Sequence, residues 1–269
     1  MGRFSRSLSV LALSTVAIAQ SVTVQQSLPT NQNLTPEQQA AVVRLSNLQK
    51  NFGKGTMNSP GVTLSLKEIS RRRATDRTLV TYGLYATGLP KDRTFTIFEV
   101  KISGQFNKFL QGVTLDSDGR AICAGRRGTC SGSTPNSPID LVFFAGKAEP
   151  KRLALVSEDG QLRGSVAIVP FPNATTDKGC HLESVIGTPK GEITYIQGDG
   201  FEPNEELTTD GESYGEKNHF VAKAEADGSY FATTMPSVLG KESGITTFEV
   251  KGKSCDPKLI FSWGTYQLE

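Results

Sequence analysis

Four cysteines and two histidines are the residues of this chain best suited to chemistry. Cys123, Cys130, Cys180 and Cys255 contain no C-x-x-C pair, and His181 and His219 are too few to complete a zinc site. In an exported chain an even cysteine count suits disulfides, and four cysteines allow three connectivities. The expected pairs are Cys123 with Cys130 and Cys180 with Cys255, because each stays within one half of a repeated pattern; free thiols are the alternative. No G-x-S-x-G, H-E-x-x-H or P-loop occurs. His181 adjoins Cys180 in a strand-like run and His219 opens another. Glu205 and Glu206 alternate sides of a strand, so they do not act together on one substrate. Asp116-Ser117-Asp118-Gly119 resembles a fragment of a calcium loop but lacks the third ligand position and the distal Glu, which leaves a plain turn. The expectation is therefore no cofactor, no metal and no catalytic residue.

Binding chemistry has two candidates. Arg71, Arg72 and Arg73, with Lys67 and Arg77 nearby, form the densest basic cluster. It suits an anionic partner, although it has no interleaved aromatics, so nucleic acid is not expected. Its plainer reading is a solvated hairpin tip between two strands. Tyr195, Phe201, Tyr214, Tyr230, Phe231 and Trp263 could offer a sugar-stacking surface, but most sit at alternating strand positions where core packing is the default. Tyr214, within Asp210-Gly211-Glu212-Ser213-Tyr214-Gly215-Glu216, is the one read in a loop and is the best single contact candidate.

The elements that position these residues are strands. From Val62 onward apolar runs alternate with turn residues every few positions, near 62–66, 79–86, 95–100, 113–115, 121–123, 139–145, 153–156 and 165–169. A second set follows near 182–185, 193–196, 206–209, 220–224, 230–233, 246–250 and 259–263. This spacing indicates β-sandwiches. The two sets share landmarks. Gly200-Phe201-Glu202-Pro203-Asn204-Glu205-Glu206-Leu207 has a fainter copy in Gly88-Leu89-Pro90-Lys91-Asp92-Arg93-Thr94-Phe95. Asp118-Gly119 answers Asp227-Gly228 at an offset of 109. Gly146, Pro150 and Leu153 answer Gly252, Pro257 and Leu259 at offsets of 106 to 107. The reading is a duplication, with a first domain over 61–170 and a second over 171–269, divided at Pro170-Phe171-Pro172.

The first residues carry an export signature. Arg3 and Arg6 precede an apolar stretch over 8–18, and Ala17-Ile18-Ala19 is a cleavage site, so 1–19 is read as a signal peptide. The expected protein is secreted or periplasmic, with no transmembrane segment after cleavage. Residues 20–60 read as a polar leader with a helix over about 36–50, capped by Thr35 and opened by Pro36. Ser21-Val22-Thr23-Val24 alternates as a strand would. The formal charge of +2 hides an asymmetry: 23 Lys and Arg face 13 Asp and Glu up to Gly191, against 6 and 14 beyond it. Such a division suits attraction between opposite ends, within one molecule or between molecules.

The pattern Gly198, Gly200, Phe201, Pro203, Glu205 and Leu207, continued by Ala226-Asp227-Gly228-Ser229-Tyr230-Phe231 and Val250-Lys251-Gly252, resembles the immunoglobulin-like domains of exported bacterial proteins, of which the IPT/TIG-like group is nearest. It covers residues 190–263 well and 78–157 weakly. The resemblance implies tandem immunoglobulin-like sandwiches serving as spacers, adhesive modules or accessory units. The functional expectation is a non-catalytic binding or structural module at the cell surface, whose partner is a second copy, a surface protein or a polysaccharide. A carbohydrate-binding protein and a hydrolase with an unrecognised site are the alternatives.

Overall fold

The computed structural model describes residues 58–73, 77–102, 104–124, 130 and 134–264. The expected signal peptide, the polar leader as far as 57 and the helix over 36–50 lie outside the described residues. What is described is all β. In chain order the strands are β1 (Thr63–Arg73), β2 (Arg77–Thr87), β3 (Phe95–Val100), β4 (Phe106–Leu115), β5 (Ala121–Cys123), β6 (Asp140–Gly146), β7 (Lys151–Ser157), β8 (Arg163–Ile168), β9 (Asn173–Asp177), β10 (Cys180–Ile186), β11 (Thr194–Asp199), β12 (Glu206–Ser213), β13 (Glu216–Lys223), β14 (Tyr230–Thr234), β15 (Gly244–Lys251) and β16 (Lys258–Trp263). They pair antiparallel in four sheets, ordered β1-β2-β6, β5-β4-β3-β7-β8, β14-β11-β10-β9 and β13-β12-β15-β16.

Alternation explains why these segments are strands. In β2, Thr78, Val80, Tyr82, Leu84 and Ala86 are buried, while Leu79, Thr81 and Tyr85 between them reach solvent. The inward sets of the first two sheets merge into one core around Leu84, Phe95, Ile97, Leu141, Leu153 and Leu155. Those of the last two merge into a second core around Leu182, Ile196, Leu207, Phe248, Val250 and Leu259. Each core thus lies between two sheets, the arrangement of a β-sandwich.

The pairing order recurs. Without β5 and β9, the first half pairs β1-β2-β6 and β4-β3-β7-β8, and the second pairs β10-β11-β14 and β13-β12-β15-β16 in the same chain order. The turn before β5 closes by Asp116 N–H to Arg120 O and Gly119 N–H to Asp116 O, and the turn before β14 closes by the corresponding bonds between Glu225, Gly228 and Ser229. Gly88 and Gly200 both follow the second strand of their set with positive φ, of 75° and 84°. A Cβ at either position would lie 2.1 Å from Gly61 O or 2.3 Å from Gly179 O, so neither site admits a side chain. The third pair of landmarks falls on different elements. Gly146 and Pro150 flank the approach to β7, whereas Gly252 and Pro257 precede β16, and by pairing order β7 answers β15.

Two strand readings change. Basic residues 71–73 are not a hairpin tip: they belong to β1, which pairs with β2 as far as Arg73 opposite Thr78. Residues 173–177, to which the sequence reading assigns no strand, form β9 on the edge beside β10. The two halves meet where Ala148 donates its N–H to Phe171 O and accepts one from Ile186 N–H at its own carbonyl.

Candidate functional site

The sheet β1-β2-β6 has one face in the core and one in solvent. Register assigns the solvent face row by row, because cross-strand neighbours point the same way. Arg72, Leu79 and Phe144 form one row, Ser70, Thr81 and Val142 the next, and Lys67, Gly83 and Asp140 the third. Tyr85 lies beyond, bridged to Arg120. Val142 and Phe144 are each 53% exposed. Cations lie over the rings: Lys67 Nζ is 4.1 Å from the Tyr85 centroid and the Arg77 guanidinium 5.2 Å from that of Phe144. Gly83 leaves room for the Arg120 side chain, whose Nη2 donates to Asp140 Oδ1 at 2.9 Å. Among the described residues the face therefore carries Lys67, Arg72, Arg77 and Arg120 against the carboxylate of Asp140. Apolar surface lies between the cations. Such a face can hold an anionic partner that also offers apolar contacts.

The three sequence-predicted arginines are not used alike. Arg72 joins this face. Arg71 pairs with Val80 on the other side and is committed: Nε and Nη2 grip Glu68 at 2.9 and 2.6 Å, and Nη1 donates to Pro170 O at 2.5 Å. The bidentate pair holds the Glu68 carboxyl below its ordinary range. Arg71 thus ties β1 to the segment entering β9. Arg73 lies on Arg71's side, at the exposed strand end.

Tyr214 occupies the two-residue turn between β12 and β13 with φ of 52°, followed by Gly215 at 81°. Its hydroxyl donates to Ser243 O at 2.7 Å, and its ring packs edge-on against Trp263, 6.2 Å between centroids. Gly244 lies beneath, where a Cβ would be 2.5 Å from the Tyr214 ring. The ring closes the end of the sheet and its hydroxyl is engaged within the chain.

Cys180 and Cys255 are joined as a disulfide. Cys123 and Cys130 are buried and carry thiols, so the second expected bridge is not formed in this structure. The Cys130 thiol lies 3.3 Å from Gly112 O and beside Cys123, and burial pushes its pKa up to about 12.

A cluster that the sequence reading did not assemble lies on the outer face of β13-β12-β15-β16. Asp210 pairs with His219 across β12–β13 at 2.7 Å and with Lys251 at 2.8 Å, and hydrogen bonds from Lys251 and His219 hold its carboxyl below the ordinary range. Glu249 and Lys258 stand opposite each other alongside. This face alternates charges of both signs and stays solvated. The residues alternate in β12, β13 and β15 as polar strand positions do, but pairing Asp210 with His219 required the tight turn at Tyr214-Gly215. Among the described residues no group of three or more His, Cys, Asp and Glu is placed to hold a metal.

Further acidic residues of the second half lie at one end of it. Asp199 ends β11, and Glu202, Glu225 and Asp227 lie on the loops that follow β11 and β13. All four are exposed, Glu202 pairs with Lys253 at 2.7 Å, and the loops are joined by Phe201 N–H to Gly228 O and Asn204 N–H to Glu225 O. They lie at the opposite end of β11 from the turn beside Ala148.

No protein family matches the sequence, and no curated protein matches it. Among solved structures the chain is similar to red sea bream transglutaminase at 9% identity and a TM-score of 0.21, over 83% of this chain and 32% of that one. The chain thus spans about a third of that protein's length. A likeness at this level carries no argument about fold or activity.

Proposed function

We propose that this chain is an exported, non-catalytic binding or structural module, made of two tandem immunoglobulin-like β-sandwiches and working at a cell surface or in the extracellular space. It self-associates by attraction between its basic first half and acidic second half. The observation that carries this reading is the outer face of β1-β2-β6, where Lys67, Arg72, Arg77 and Arg120 surround the exposed Val142 and Phe144. Asp199, Glu225 and Asp227, beside the Glu202–Lys253 ion pair, supply the opposite charge at the far end of the second half. The recurring strand order and the matching Asp116–Arg120 and Glu225–Ser229 turns support a tandem duplication.

The test is light scattering of the oxidised protein at about 0.1 M and about 1 M salt, between which the screening length falls from about 10 to about 3 Å. Assemblies that shrink as salt rises are expected. The double variant Lys67→Glu, Arg72→Glu should remove them at low salt. A mass that ignores both salt and charge reversal overturns the charge-driven reading.

A further inference from the structure

Sheet edges expose unpaired backbone groups, and proteins blunt them with bulges, charges, brevity or cover. Most edges of this protein are blunted. On one side of the first half β8 approaches β1 closely, since Gly164 lies against Leu64 and Val62. On one side of the second half Asn173, at the start of β9, donates to Ile260 O of β16 at 3.1 Å. Of the edges that remain, β4 has two register shifts against β3, β5 has three residues, β14 has five, and β13 presents Lys217, His219 and Lys223 outward.

The edge strand β6 differs. It runs seven residues, Asp140–Gly146, and pairs with β2 without a register shift. It holds Leu141, Val142, Phe143 and Phe144 in succession and no lysine or proline. Among the described residues, no backbone bond reaches 140–145 except from β2. Cys130, in the connection from β5 to β6, is held by Gln111 O on β4, away from this edge.

We infer that β6 is a dimerisation edge: two copies of this chain pair their β6 strands antiparallel about a two-fold axis at Phe143, making a continuous six-stranded sheet, β1-β2-β6 joined to its symmetry mate. The sequence of β6 is self-complementary in this register. Val142 falls opposite the partner's Phe144 on the outer face, so both exposed apolar side chains are covered twice over. Asp140 falls opposite the partner's Gly146, which is itself opposite Arg77. Two strand spacings of about 4.8 Å separate the partner's Asp140 from Arg77 in that row. No side chain stands between them, because residue 146 is glycine. Arg77 already lies over Phe144, on the face from which it would meet the carboxylate. Each copy thus supplies one anion, Asp140, whose Oδ1 is held by its own Arg120 at 2.9 Å, and one cation, Arg77, to two equivalent pairs, as an isologous contact requires. Backbone groups left free by β2 meet the same alternate set on the partner.

This contact shares Val142, Phe144 and Arg77 with the salt-sensitive assembly proposed above but differs from it in salt dependence, and sedimentation equilibrium separates them. The purified chain is expected to form a dimer of twice the chain mass that persists at about 1 M salt, where exposed charge attraction is screened within about 3 Å. Phe144→Lys should raise the dimer dissociation constant at least about thirtyfold, as for loss of a central aromatic anchor. Val142→Lys should act in the same direction. Ile260→Lys, at an exposed position on the sheet β13-β12-β15-β16, should leave the dimer intact and shows that an added lysine alone is not responsible. Both β6 variants alter half-exposed side chains, so circular dichroism should match the parent. Association that vanishes at high salt overturns the β6 contact and leaves the charge-driven reading standing. A salt-resistant dimer unaffected by Phe144→Lys overturns the β6 contact as well.

Discussion

Glu205 is a carboxylate at 4% exposure, and the turn between β11 and β12 is closed around it. Its Oε1 accepts the N–H of Glu202 at 2.8 Å and its Oε2 the N–H of Lys253 at 2.9 Å. One side chain thereby joins the loop after β11 to the loop after β15. A buried donor left without an acceptor costs about 1–3 kcal/mol. Glu205→Ala orphans two, and Glu205→Gln, the same size, offers only one carbonyl oxygen to the pair. Both should lower the urea midpoint, alanine more than glutamine; unchanged midpoints would show that water satisfies the loop. The sequence made Gly200, Phe201 and Glu205 visible as a unit, because turn chemistry is local. It could not show that Glu205 points inward, since its second partner is 48 residues away.

Asp210 is a carboxylate whose state is tied to its two partners. Lys251 and His219 bond its two oxygens and depress its pKa below the ordinary 3.8. A carboxyl depressed in the folded state stabilises the fold above its ordinary pKa and loses that contribution as pH falls through the folded value. The expected outcome is an NMR titration midpoint for Asp210 below 3.8, together with a shallower acid-side loss of stability in Asp210→Asn. Because the pair is exposed, the change in stability is small. A midpoint at or above 3.8 would contradict the pairing seen here.

At the scale of elements, the disulfide between Cys180 and Cys255 pins the start of β10 to the turn before β16, across 75 residues. Closing a loop of that length removes about 4 kcal/mol of freedom from the unfolded chain. Cys180→Ser with Cys255→Ser should therefore destabilise the second half by about that amount in urea. A loss below about 1 kcal/mol would mean that the unfolded chain is already restrained there. Strands were the most legible elements, since alternation and turn residues located all but one of them. The end of β1 was misread because three successive arginines look like a solvated tip. What makes them a strand is pairing with 78–80, and what spends Arg71 is Pro170, 99 residues on. The exposed face of β6 was equally hidden. Leu141, Val142, Phe143 and Phe144 are all apolar, so periodicity cannot say which pair faces the core, and only the register with β2 decides.

At the scale of the molecule, two separate cores share one junction, and their independence can be measured. The chain has a single tryptophan, Trp263, buried at 1% exposure at the end of β16. Its fluorescence reports on the second half alone. The first half has its own core from Val62 to Leu155, reached by none of the second half's core side chains. The bonds across the junction that tie Ala148 to Phe171 and Ile186 are backbone contacts at a loop. A junction of that kind transmits less cooperativity than a shared hydrophobic layer. Removing the Cys180–Cys255 disulfide should therefore lower the tryptophan transition and leave a second, later transition in far-UV circular dichroism from the intact first half. Two-state behaviour would instead give coincident curves by both probes. Coincidence in the disulfide-free variant would mean that Arg71's bond to Pro170 and the buried Arg152 beside Tyr195 bind the halves into one unit. Arg71→Ala added to that variant would then be the change that separates the curves.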